Sequence, residues 1–193
     1  MTKWLSHRMV ERGIIKEEEQ ELYQFGIRNG MILLLNVVTA LVIGLLTEQL
    51  AVVAVFTLSF MVLRSYTGGY HSDSRIFCYL GSNLVLLVPV YTQAMFYKTS
   101  LAWLLAVLLV SAGIIFLLSP MHSKNRKLDK EEQKHFGRKA RLIAALELAV
   151  LGILWHAGQI PYAYAVYTGI CITALFMLVG KAQLWIQSHT ENG

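Results

Sequence analysis

A succession of long intervals without charge, separated by short polar segments, constrains this chain more than any other feature. Nineteen residues lie between Arg28 and Glu48, and fifteen between Glu48 and Arg64. Ile76 to Tyr97 gives twenty-two and Thr99 to Met121 twenty-three. From Leu142 to Gly180 the only formal charge is Glu147, and Gly158 and Pro161 divide that interval. A helix needs about 20 apolar residues to cross a bilayer core. The intervals therefore predict six spans, at 29–47, 49–63, 76–97, 99–121, roughly 142–157 and 162–180. The second is short. Fifteen helical residues reach about 22 Å, below a core of roughly 30 Å, so this span is expected to thin the bilayer or be partly re-entrant.

Composition agrees, with 55% hydrophobic and 15% charged residues among 193. Basic residues orient the spans. The segment before the first carries Lys3, Arg8, Arg12, Lys16 and Arg28. Arg64 and Arg75 follow the second, eight basic residues from Lys124 to Arg141 follow the fourth, and Lys181 follows the sixth. The opposite connections hold only Lys98, so sixteen of the seventeen basic residues share one side. Basic loops stay cytoplasmic. The expected fold is an all-α integral membrane protein with about six transmembrane helices and both termini in the cytoplasm. It forms one membrane domain, 1–193. Residues 1–28 make an interfacial segment and 29–180 the six-span region, with a candidate loop at 64–78 and a basic loop at 119–141. Residues 181–193 make a cytoplasmic tail.

Trp4, Leu5, Met9 and Val10 recur at helical spacing beside Arg8 and Arg12, so residues 2–24 are expected as an amphipathic helix lying on the membrane. With no apolar core before residue 31, a cleavable signal peptide is not expected. The net charge of +5 could suit nucleic acid, but its placement favours the cytoplasmic leaflet. Two cysteines, Cys78 and Cys171, make no disulfide framework.

The loop after the second span is the most informative stretch: Arg64, then Gly68-Gly69, His71-Ser72-Asp73, Arg75 and Cys78. Gly68-Gly69 allows the chain to double back, which would let His71 and Cys78 approach. A thiol is a useful nucleophile as thiolate, and a nearby imidazole can take its proton. The positive end of the third span's dipole lies near Cys78 and favours the anion. Arg75, three residues earlier, adds to that field. Asp73 or Ser72 could orient the imidazole, and Asn83 lies deeper. Against this stands a plain alternative. A lone Cys in a membrane helix is usually a packing residue, and in an unbroken helix residues 71 and 78 would stand about 10 Å apart.

The pattern Arg64-x-x-x-Gly68-Gly69-x-His71 with Cys78 seven residues on resembles the accessory gene regulator B family. Chain length, amphipathic start, several spans and the basic loop resemble it too. Members are membrane cysteine endopeptidases of Gram-positive quorum sensing, which remove the C-terminal tail of a small propeptide and help form a cyclic thiolactone or lactone. The resemblance implies Cys78 as nucleophile and His71 as general base. The third role stays open between Asp73 and Ser72, with Arg64, Gly68, Gly69 and Arg75 as support. It also implies a propeptide partner with an amphipathic start and an acidic tail, which Lys124, Arg126, Lys127 and Lys130 could grip. Topology and anionic lipid are the simpler explanation of those cations.

No cofactor, metal or nucleic acid is expected. The expected partners are the propeptide and membrane lipids, and a homodimer is compatible with the sequence. The active site is expected at the cytoplasmic face of the cell membrane. A small peptide transporter or channel is the alternative function. A metal site from His71, Asp73, Cys78 and His122 lacks closely paired ligands. Glu147 is expected to snorkel or pair with a basic loop residue, and Cys171 to serve packing.

Overall fold

The computed structural model describes residues 2–68, 75–121 and 130–190. These form seven α-helices and one short 3₁₀ turn, with no strand among the described residues. The helices are α1 Thr2–Glu11, α2 Gln20–Leu46, α3 Leu50–Thr67, α4 Arg75–Lys98, α5 Leu101–Leu118, α6 Lys130–His156 and α7 Ile160–Thr190. Internal contacts gather into two units, 1–39 and 40–193.

In the first unit the expected helix over 2–24 is interrupted. α1 ends at Glu11, and Gly13 adopts φ +67°, a left-handed conformation that stops the helix. Ser6 is fully buried. Its hydroxyl donates to the Lys3 carbonyl and accepts from the Gln24 amide at 3.2 Å, joining α1 to the start of α2. The Lys16 N–H donates to the Glu19 carboxylate at 3.2 Å, closing the 3₁₀ turn. The Arg8 guanidinium lies 5.1 Å over the Trp4 ring.

In the second unit α7 packs against α3, α4, α5 and α6. Small residues permit this: Ala163, Ala165 and Ala174 are almost fully buried on α7, and close helix approach in membranes favours such side chains. Thr168 and Thr173 donate to carbonyls one turn back, so their hydroxyls are satisfied within the helix. One apolar cluster centres on Val53, Phe56, Leu86 and Ala165, another on Leu63, Ile115, Ile170 and Met177.

Four helical stretches are long and apolar enough to cross a membrane: Glu17–Leu46, Leu50–Thr67, Leu101–Leu118 and Ile160–Ile186. Leu46 and Leu117 are 80% and 83% exposed on them. Apolar surface on that scale is at home in lipid rather than water. The chain is a membrane protein.

Each of the six expected intervals is occupied by one long helix, but the ends differ. The second is 18 residues, not fifteen, because Arg64 lies inside α3. The expected loop 64–78 is shorter than that: 64–67 close α3 and 75–78 open α4. The basic segment 119–141 is helical from Lys130, and the tail is helical to Thr190. A charged helix projecting past the hydrocarbon needs no apolar sequence, so counting uncharged residues underestimates its length.

Candidate active site at the junction of α3 and α4

In the last turn of α3 an arginine reaches forward to the residue that caps its own helix. Arg64 Nη1 donates to the Gly68 carbonyl at 2.9 Å, while the Gly68 N–H donates to the Arg64 carbonyl at 3.3 Å. The guanidinium also lies 4.9 Å over the Phe176 ring of α7. A charge-assisted bond and a ring face together hold one rotamer of a long side chain.

Gly68 itself sits at φ 71°, ψ −154°, a region almost closed to other residues. A Cβ there would meet the Met121 carbonyl oxygen at 2.6 Å. The Met121 N–H donates to the Thr67 carbonyl at 2.9 Å. Thr67 is fully buried. The backbone leaving α3 is thus strapped to the segment leaving α5.

α6 completes this end of the unit. Phe136 lies 6.2 Å from the Tyr66 ring, and Lys139 Nζ 5.8 Å over it. Arg141 Nε donates to the Phe116 carbonyl at 3.1 Å. On the first turns of α6, Glu131, Lys134, His135 and Arg138 line an open polar hollow of about 510 Å³.

Arg64 and Gly68 are therefore brought together. Cys78 is the fourth residue of α4 and Arg75 the first, placed by backbone alone. Gly69, His71, Ser72 and Asp73 lie outside the described residues, as do Lys124, Arg126, Lys127 and His122. Lys130 opens α6 by its backbone. Asn83 donates to the Tyr79 carbonyl at 2.9 Å, within its own helix. Cys171 is a half-buried free thiol beside the Ser111 and Tyr167 side chains.

Glu147 has a partner that was not expected. Among the described residues, Ser59 Oγ of α3 donates to its Oε2 at 2.9 Å. Gly169 on α7 makes room, since a Cβ there would meet Ser59 Oγ at 2.6 Å. Sequence reasoning missed this pair and the Thr67–Met121 strap. The only sequence signal for the pair was a serine and a carboxylate in otherwise apolar spans.

A model of the accessory gene regulator B family matches residues 1–178, which include Arg64, Gly68 and Cys78. The chain belongs to that family. It is 25% identical to accessory gene regulator protein B of Staphylococcus intermedius over 156 residues, covering 79% of this chain and 80% of that one. It is 23% identical over 148 residues to a protein described as AgrB-like from Clostridium perfringens strain SM101, covering 74% and 69%. A second such protein, from strain 13, is 24% identical over 131 residues, 65% of this chain and 61% of the relative, so under two thirds of that relative's length is spanned. No solved structure matches the chain.

Proposed function

We propose that this chain is a membrane cysteine endopeptidase that cleaves the C-terminal tail from a small quorum-sensing propeptide and promotes its cyclisation. The observation that carries this reading is the family match over residues 1–178, which spans the Arg64, Gly68, Gly69, His71 and Cys78 pattern. The first turn of α4 supports it, because Cys78 falls where free helix N–H groups stabilise an anion. The strap at Gly68 supports it too, by fixing one end of the segment that carries His71.

In the proposed reaction the Cys78 thiolate attacks the scissile carbonyl carbon, and the His71 imidazolium gives its proton to the leaving amine. The C–N bond breaks, the tail departs, and a thioester remains on Cys78. A Cys thiol or Ser hydroxyl inside the bound peptide then attacks that thioester. Its proton passes to His71, the ring closes as thiolactone or lactone, and Cys78 is freed. Exclusion of water favours ring closure over hydrolysis. A helix N-terminus contributes only about 0.3–1 kcal/mol, less than tenfold in thiolate population, so His71 supplies most of the activation in this reading.

In this reading the chain spans the membrane six times with cytoplasmic termini, Cys78 and His71 act at the cytoplasmic face, and the cations from Lys124 to Lys130 meet the acidic tail. Co-expression with a propeptide encoded beside the gene tests the reading by mass spectrometry of the products. Cleavage that is lost in Cys78→Ser and His71→Ala but kept in Cys171→Ser is expected. Cleavage that survives Cys78→Ser refutes it.

A further inference from the structure

The Ser59–Glu147 pair lies in a groove of about 630 Å³ between α3 and α6, floored by α7. α3 lines it from Ala51 to Val62 and α6 from Ile143 to Leu154. Each stripe covers eleven residue steps, about 16 Å, or three helical turns. Except for Ser59 and Glu147, the groove is lined by apolar and aromatic side chains. Glu147 is half-buried, and among the described residues its carboxylate meets only Ser59. Among the described residues, Arg64 is engaged on Gly68 and Phe176, Lys139 on Tyr66, and Arg141 on the Phe116 carbonyl. An ionisable side chain within a span is expensive and is a functional candidate by default.

We infer that this groove docks one apolar α-helical segment of the peptide substrate, whose single basic side chain pairs with Glu147. The inference rests on the reading of the chain as a peptide-processing enzyme. The shape argues for a helix: two parallel stripes three turns long are what an apolar helix face fills. The charge argues for one cation, since the groove holds one carboxylate. A lipid acyl chain carries no charge for it. Lipid amines lie at headgroup level, whereas Glu147 is six residues, about 9 Å, beyond Arg141 along α6. The position suits the chemistry as well. Ser59 is nine residues before Gly68 on α3, about 13 Å along the axis, so a helix seated at Glu147 directs its continuation toward the α3–α4 junction.

The test uses the full chain in phospholipid nanodiscs and a fluorescent twenty-residue Leu/Ala helix with one central Lys. Matched peptides carry norleucine or Glu at that position. The Lys peptide is expected to bind about tenfold tighter than the norleucine peptide, the range of polar contacts between membrane helices. Glu147→Gln should abolish the preference, and Glu147→Lys should transfer it to the Glu peptide. Ser59→Ala, which keeps the carboxylate, should retain it. Equal binding of all three peptides overturns the inference and assigns the groove to lipid, and a Lys preference that survives Glu147→Gln overturns it as well. The assay contains no cleavage step. A failed preference alongside intact Cys78-dependent cleavage therefore rejects the docking site alone. A Lys preference without such cleavage rejects the substrate assignment.

Discussion

Among the described glycines of positive φ, Gly68 is the one whose replacement by Ala should damage this protein most. Two penalties combine. The backbone at φ 71°, ψ −154° is strained for alanine by about 1–3 kcal/mol. The new Cβ would lie 2.6 Å from the Met121 carbonyl oxygen, against at least 3.4 Å for an ordinary contact, so the two backbones must part by 0.8 Å. That separation breaks the Met121–Thr67 hydrogen bond, worth about 0.5–1.5 kcal/mol, and draws the Gly68 carbonyl from Arg64, a charged bond worth about 1.5–3 kcal/mol. With partial relaxation the total is about 2–5 kcal/mol. Gly158 is the control, because its φ is +72° but nothing lies within 4 Å of its added Cβ. Gly158→Ala should therefore cost only the backbone part, about 1–2 kcal/mol. Unfolding in mixed micelles of increasing SDS fraction measures both. If Gly68→Ala is no less stable than Gly158→Ala, the strap between Thr67 and Met121 does not hold this junction.

Arg64→Lys should lose both the Gly68 carbonyl bond and the flat contact on Phe176, lowering propeptide cleavage at least about tenfold because a point charge replaces a planar fork. Wild-type cleavage rates in that variant contradict this. Gly169→Ala should cost about 1–3 kcal/mol by forcing α7 off Ser59, and Ser59→Ala should recover part of the loss, a coupling that a double-mutant cycle in the same micelles reads. Single cysteines placed at Lys98 or Gln159 in a background lacking Cys78 and Cys171 should label from outside the cell, and those at Lys124 or Ser188 only after permeabilisation. Labelling of Lys124→Cys in intact cells contradicts the six-span topology.

Much of the fold was legible in the uncharged intervals, because hydrocarbon tolerates little else and one helix occupies most of each interval. Where helices end was not legible, because charged residues end the hydrocarbon and not the helix: Arg64 belongs to α3 and Lys130–Arg141 to α6. The candidate site was visible as a pattern, Arg64 and Gly68 before Cys78, but the structural reason for Gly68 was not. That reason is the Met121 carbonyl, fifty-three residues away in sequence. Glu147 was visible as an anomaly, yet its partner Ser59 is eighty-eight residues distant, and no local spacing announces such a pair.

The central claim is that His71 activates Cys78, and the most direct measurement needs no substrate. The rates of alkylation of Cys78 and Cys171 should be followed against pH by mass spectrometry, in wild type and in His71→Ala. The account predicts that Cys78 reacts at least about tenfold faster than Cys171 at pH values below the ordinary thiol range near 8.5, and that His71→Ala removes most of this advantage. A Cys78 that reacts no faster than Cys171, or whose rate ignores His71, contradicts the account and favours a transporter without covalent chemistry.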